Sequence, residues 1–262
     1  MKIAVCIKQV PDTEAKIKIG ADGRSIDEAG VNLVVSPFDE YAVEEGLRLK
    51  EKHGGEVVAY AVGDDRAATA LRTVLAMGVD RAVHLKDAAF EGSDGLGVSR
   101  ILAAALRLDS FEMILFGKQA VGTDRGQVGP RVAELLDLPH VSVVVALSVE
   151  GGRLRAEREI EGACEVVESP LPAVITAQKG LNEPRYASLK GILAAKKKEI
   201  RVMGAADIRV DPSTVGAAGA AEVWEKVELP PGRTAGKILR DMDPASAAKE
   251  LVRILREEAK VI

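Results

Sequence analysis

The chain has 262 residues, enough for one large core or for one core with a smaller appendage, since single cores stop growing at roughly 250 to 300 residues. Its net charge of -4, with acids and bases interspersed, excludes the chain-wide basic field that nucleic acid or an anionic membrane would select. Cys6 and Cys164 form neither a CxxC pair nor a disulfide framework; this fits a reducing compartment and reads both as small buried hydrophobes.

The chain enters directly on a strand-like run, MKIAVCIKQVPDT, without a charged leader or an apolar core of a signal peptide, and no apolar stretch reaches the ~20 residues of a membrane span. A soluble, cytoplasmic protein with no membrane insertion is expected. Residues 2–7 (KIAVCI), 56–62 (EVVAYAV), 81–85 (RAVHL) and 112–116 (EMILF) are continuously apolar, the pattern of strands covered on both faces. Helical periodicity fills the intervals. It runs from Asp39 to Lys52 with Ala42, Val43, Gly46, Leu47 and Leu49 on one face, from Asp65 to Met77 with Ala68, Leu71, Val74 and Leu75, and from Ser93 to Leu106. Asp39, Asp65 and Ser93 are placed as N-caps. Strands alternating with helices predict a doubly wound, mostly parallel α/β sheet of the Rossmann-like kind.

After about residue 140 the rhythm changes. VSVVVALSVEGGRLRAERE predicts two strands around Gly151-Gly152, and GACEVVESPLPAVITAQ two more, read together as a small antiparallel extension. The segment from 203 to 236 is rich in Gly, Ala and Pro, includes the lone Trp224 and the PPGR turn at 230–233, and reads as an extended arm, lying on a partner surface or packed on the chain itself. A last helix is expected with Asp243 as N-cap, Pro244 at its first position, and Ala248, Leu251, Val252 and Leu255 on one face. The division is a nucleotide-binding α/β domain over 1–202 and an arm with a helix over 203–262.

Ligands of such a sheet bind beyond the carboxyl ends of its strands, at the switch point. The first strand offers Cys6, Ile7, Lys8 and Gln9 there, the second ends at Val62 and Gly63, and the fourth runs into GKQAVGTDRGQVGPRVAELL. Its glycines admit a ligand to the backbone, and a following helix with Val132 and Leu136 on its apolar face aims its N-terminus at the loop, which makes a phosphate site with Thr123 and Gln127 as side-chain donors. The sequence matches neither GxxxxGKS/T nor GxGxxG, and glycines that only turn a strand into a helix are the competing reading. Lys8 reads as a solvated strand-end lysine. His53, His84 and His140 are scattered, metal-ligand spacing and a GxSxG elbow are missing, and Asp64-Asp65 and Glu44-Glu45 read as helix-start and solvated-face residues, so no catalysis by the chain itself is expected.

A second class of signal lies in REIEG (158–162), LPAVITA (171–177), LNEPRYASL (181–189), AAKKKEI (194–200) and RTAG (233–236). Together with VCIKQVPD, SPFDEYAVEE (36–45), LAMGVDRAVHL (75–85) and GKQA, they resemble the beta subunit of electron transfer flavoprotein, essentially from end to end. The resemblance implies a fold like that of the adenine nucleotide alpha hydrolases and a heterodimer whose alpha subunit carries the redox FAD. Electrons would come from acyl-CoA dehydrogenases of fatty acid β-oxidation or related enzymes and pass to a quinone oxidoreductase.

The resemblance further implies that Leu189 is an apolar anchor for the dehydrogenase, in a loop that includes Tyr186, with Lys196, Lys197 and Lys198 as a steering patch. It places Glu159 opposite the mobile flavin domain and Phe38 near the edge of the alpha-bound flavin. It assigns Cys6, Ser36, Val62, Gly63, Ala120, Thr123, Gly126, Gln127 and Val128 to a buried nucleotide. Here GTDRGQVGP departs from the Asp-rich run of AMP-binding members, and QVGP also occurs in members that hold a second FAD and bifurcate electrons from NADH. Both ligands need the same adenosine-phosphate cradle; LNEPRYASL and the lysines favour AMP. A nucleotide-hydrolysing α/β enzyme, the reading of another class, would need an SGGxDS-like loop where this chain has KQVPD.

Overall fold

The computed structural model describes residues 1–232 and 235–262, so Arg233 and Thr234 of the RTAG and PPGR segments lie outside the described residues. In chain order the principal elements are β1 (Lys2–Cys6), α1 (Pro37–His53), β2 (Glu56–Val62), α2 (Ala67–Met77), β3 (Arg81–Leu85), α3 (Gly95–Leu106), β4 (Met113–Gly117), α4 (Val128–Leu136), β5 (His140–Glu150), β6 (Arg153–Ile160), β7 (Ala163–Pro170), β8 (Ala173–Ala177), α5 (Leu189–Lys197), β9 (Ile200–Met203) and α6 (Pro244–Arg253). Short paired strands at Gln9–Pro11 with Leu33–Val35, and at Lys18–Ile19 with Ile26–Asp27, fold the β1–α1 connection.

One sheet has the order β7-β6-β5-β8-β4-β1-β2-β3-β9. The segment from β8 to β9 in that order is parallel, with β1 at its centre: Ile3 stands beside Val57 of β2 and Met113 of β4. Side chains alternate across a strand, so the apolar run of β1 feeds two cores. Ile3, Val5 and Ile7 pack with Val43 and Leu47 of α1 and Leu71 and Leu75 of α2. Ala4 and Cys6 face the other way, toward Ile101 and Leu102 of α3 and Val132 of α4. Burying a leucine such as Leu71 or Leu75 of α2 against the sheet stabilises by about 1.5–3 kcal/mol.

The antiparallel extension consists of β5, β6 and β7, with β6 paired to both neighbours. The fourth strand expected for it, β8, lies instead in the parallel sheet, with Val174 beside Ile114 of β4, and is wholly buried. Four of its five residues are apolar, and the fifth, Thr176, is buried with its Oγ1 accepting the Val143 N–H at 3.0 Å, as suits a strand covered on both faces.

The boundary expected at 202/203 falls later. The chain forms two compact units, Met1–Val227 and Glu228–Ile262. β9 pairs with β3 up to Met203, and residues 205–219 form three short helical turns whose Ala205, Ile208 and Val215 are buried in the core that contains α3. Elements of three or four residues are too brief to show a 3.6-residue period, so this stretch reads as structureless in sequence. In the second unit α6 starts where expected: Asp243 accepts the N–H groups of Ala245 at 3.0 Å and Ser246 at 3.1 Å, and Leu251 and Val252 stay exposed. No described helix is long and apolar enough to cross a membrane.

Candidate functional site

The chain leaves β1 for β2 on one side and returns from β3 to β4 on the other, so the carboxyl ends of β1 and β4 part company at the switch point. A single carboxylate holds them. Asp39 does not cap α1, which begins at Pro37 after Ser36; it sits in the first turn, buried, and accepts the N–H of Lys8 at 2.7 Å and the N–H of Gly117 at 3.0 Å. Gly117 is required for that approach, because a Cβ there would lie 2.5 Å from Asp39 Oδ1 and 2.6 Å from the Phe38 carbonyl carbon. Burial raises the Asp39 carboxyl to about 7, against the lowering effect of its two N–H donors and of Lys8. It also pushes the Cys6 thiol well up, with Asp39 adding to the effect. Lys8 opens onto the site but is crowded by protein, and that loss of water lowers its ammonium from the ordinary lysine value, with Asp39 opposing.

Above this strap lies a cavity of about 380 Å³, within the range of small-ligand pockets. Cys6, Val62, Val98, Leu102 and Phe116 give it an apolar floor, and Lys8, Lys118 and Arg125 bring cations. Gly122 and Gly126 take φ of 89° and 60°, which turn the loop after β4 back toward the start of α4. Among the described residues, the backbone N–H groups of Gly126, Gln127, Val128 and Gly129 meet no protein acceptor, and Gln127 gives α4 no side-chain cap. A helix N-terminus left open in this way has the N–H groups and dipole that suit an anion. α3 differs. Its N-terminus borders the same cavity, but Asp94 (not Ser93, the expected cap) accepts the Gly97 N–H at 2.8 Å and already supplies a negative charge.

Of the residues expected at a nucleotide, Cys6, Val62, Ala120, Thr123, Gly126, Gln127 and Val128 line the cavity. Gly63 follows Val62 at the end of β2 and its carbonyl meets His84 Nε2 at 3.0 Å, outside the lining. Ser36 is fully buried beneath the strap, and its Oγ has no partner among the described residues. Phe38 is half-buried with the Lys118 ammonium 4.9 Å from its ring centroid. Sequence reasoning missed Asp39, the Gly92–Gly95 turn, Glu222 and Trp224, all of which line the cavity. The aspartate looked like a cap and the Glu222–Trp224 stretch like part of an arm. Cys164, expected to be buried, is exposed on β7, whereas Cys6 is buried.

The segment 181–203 is built in two halves. LNEPRY is strapped to α1 by carboxylates that read as a solvated face but are buried, Glu44 at 3% exposure. Arg185 Nε donates to Glu44 Oε2 at 2.8 Å and its Nη1 to Glu51 at 2.5 Å, while Asn182 Nδ2 donates to Glu45 at 2.9 Å. Burial works to raise Glu44, but bonds from Arg185 and Arg48 outweigh it and hold the carboxyl below the usual range; Glu45, with only an amide donor, is raised.

The second half is α5. Ser188 caps it through the Gly191 N–H at 3.0 Å, and Gly191 lets it touch α2, since a Cβ there would lie 2.3 Å from the Ala76 carbonyl. Leu189, Ile192 and Leu193 form an exposed i, i+3, i+4 ridge, Leu189 at 82%, and Tyr186 beside them is 99% exposed. The lysines divide. Lys196 and Lys197 are exposed, but Lys198 turns inward and donates to the Val79 carbonyl at 2.5 Å. Glu159 is exposed on β6 and accepts from Gln178 Nε2 at 2.9 Å.

Fold and site define a doubly wound α/β protein with a cleft at its switch point and a bare apolar ridge on an adjoining helix. A family model described as the electron transfer flavoprotein domain matches residues 24–208. The chain is similar to the electron transfer flavoprotein subunit beta of Bacillus subtilis (strain 168), with 42% identity over the whole of both chains. It is likewise similar to the proteins of that name from Syntrophomonas wolfei, 41% identical over 100% of this chain and 98% of that one, and from Mycobacterium tuberculosis, 38% identical over 91% and 92%. The chain belongs to the electron transfer flavoprotein beta subunit family.

Proposed function

We propose that this chain is the beta half of a cytoplasmic two-subunit electron carrier rather than an enzyme. It associates with an alpha subunit that seats most of the FAD, and it holds an adenosine nucleotide, AMP, in its own cleft. Electrons arrive from acyl-CoA dehydrogenases and leave to a quinone oxidoreductase. The observation that carries the nucleotide half is the uncapped start of α4, four N–H groups without a protein acceptor among the described residues, on residues that line a cavity with an apolar floor. These residues fit a phosphate on α4 and a purine over Val62, Val98 and Phe116. The FAD supplies the electron acceptance when bound; this chain binds, positions and docks.

For docking, Leu189 is the anchor, with Ile192, Leu193 and Tyr186 widening the apolar contact, and Lys196 and Lys197 steer acidic partners. Phe38 and Glu159 face the flavin and its mobile domain. The unit from Glu228 onward, with the exposed Leu251 and Val252, covers the alpha subunit. A second FAD in place of AMP, with NADH oxidation, is supported only by the QVGP ending at 127–130. Co-expression with the alpha subunit tests the reading: a yellow heterodimer reduced by an acyl-CoA dehydrogenase is expected, and a stable, yellow, substrate-processing monomer of this chain would overturn it.

A further inference from the structure

Beyond the short helix Gly216–Gly219, residues 220–227 form a strap that contributes Glu222 and Trp224 to the lining of the cleft. Asp94 Oδ2 accepts the N–H groups of Ala221 at 2.8 Å and Glu222 at 3.2 Å, which ties the strap to the N-cap of α3. Glu222 is ion-paired with Arg125 of the loop before α4, and the Arg125 guanidinium lies 5.3 Å from the centroid of the Trp224 ring. Past the cleft, the Val227 N–H bonds to the Gly23 carbonyl at 2.9 Å. The strap therefore joins the two walls of the cleft, α3 on one side and the glycine loop on the other.

Two consequences concern the ligand. Asp94 spends its carboxylate on α3 and on the strap, so of the two helix starts at the cavity only that of α4 offers an anion site. The cleft has one phosphate cradle. Its rim is narrowed by Arg125, Glu222 and Trp224, the chain's only tryptophan, which stays 55% exposed there. A nucleoside monophosphate fits between cradle and rim; a dinucleotide, continuing through a pyrophosphate to a second ring system, must displace the strap. An ion pair and a cation–π contact at a half-exposed site are modest interactions singly, but both act on the same guanidinium and both close the same gap.

Taking the adenosine-nucleotide reading above as given, we propose that the 220–227 strap is the length selector and latch of the cleft. Arg125 and Trp224 are its specificity-determining side chains, retaining a nucleoside monophosphate and excluding a dinucleotide such as FAD.

The test uses the purified heterodimer, with exchange of bound AMP against labelled AMP and the FAD content per complex as readouts. In the Glu222→Ala/Trp224→Ala double variant, exchange should be about tenfold faster and FAD above one per complex, the loss of one or two such contacts. Trp224→Phe, which keeps an aromatic face, should stay within about threefold of the parent. AMP present in the parent but exchanging equally fast in the double variant overturns the strap and leaves the nucleotide reading standing. Two FAD in the parent complex overturns the selection while keeping the cradle. A parent complex with no adenosine nucleotide overturns both. Should the double variant fail to fold, Glu222→Gln alone decides: loss of the charge that pairs with Arg125 should speed AMP exchange severalfold, and exchange unchanged from the parent would overturn the latch.

Discussion

The cleft at the switch point and the segment 181–203 are built by opposite means. The cleft relies chiefly on backbone over an apolar floor: N–H groups at the start of α4 with no protein acceptor among the described residues, glycines that bring them near, and one buried carboxylate that fixes the strand ends. The segment 181–203 is made of side chains on a stiff base, with Arg185 and Asn182 locked to α1 so that Leu189 and its neighbours project into solvent. A backbone site is selective for charge and shape and breaks when a Cβ intrudes. A side-chain ridge is selective for partner and breaks when a single anchor is trimmed.

The largest effect expected is at the cleft. Gly117→Ala forces a Cβ into Asp39 and the α1 backbone and should cost about 3 kcal/mol, with loss of bound nucleotide, measured by denaturant unfolding and nucleotide content. Removing the Arg185 side chain leaves the buried Glu44 with only Arg48 and the N–H of residue 185; Arg185→Ala should cost about 2 kcal/mol in unfolding free energy. The sign with pH follows from Glu44. Its carboxyl is held below the ordinary range in the folded state, so its contribution is present above that range and is lost as pH falls through it, and the variant should show a flatter acid limb.

Asp39 has the opposite sign. Raised to about 7, it binds its proton more tightly folded than unfolded, so stability falls as pH rises from ~4 to about 7 and is level above that, and Asp39→Asn should flatten this slope. A slope unchanged in the variant would remove Asp39 from the account.

Smaller effects separate the two regions. Leu189→Ala should weaken reduction by an acyl-CoA dehydrogenase about tenfold in KM while flavin content and unfolding midpoint stay put, because the side chain touches little of its own chain. Unchanged kinetics would remove it as the anchor. Lys196→Ala and Lys197→Ala should each shift partner affinity by a few tenths of a kcal/mol and reduce its salt dependence, whereas Lys198→Ala should loosen α5 without touching that dependence.

What the sequence made legible follows the same division. Continuous apolar runs marked the parallel strands, and the glycines after β4 marked the loop that lines the cleft, because both signals are local. β8 was assigned to the wrong part of the sheet because a strand's neighbours are not written in its own residues. Glu44 and Glu45 looked solvated because a helical period places them but does not show that Arg185 and Asn182, more than 130 residues later, arrive to cover them. Trp224 and Glu222 belonged to a stretch without periodicity, and only the folded chain brings them to the cleft. The docking role proposed for Leu189 rests on resemblance, since an exposed leucine has no distinguishing local signature.

The central claim is that this chain keeps an adenosine nucleotide at its switch point while the electrons reside in a flavin held chiefly by its companion. Denaturing the purified heterodimer and chromatographing what it releases measures this directly. One FAD and one AMP per complex is the predicted result; a complex that releases no flavin, or a flavin with no second adenosine nucleotide, would contradict it.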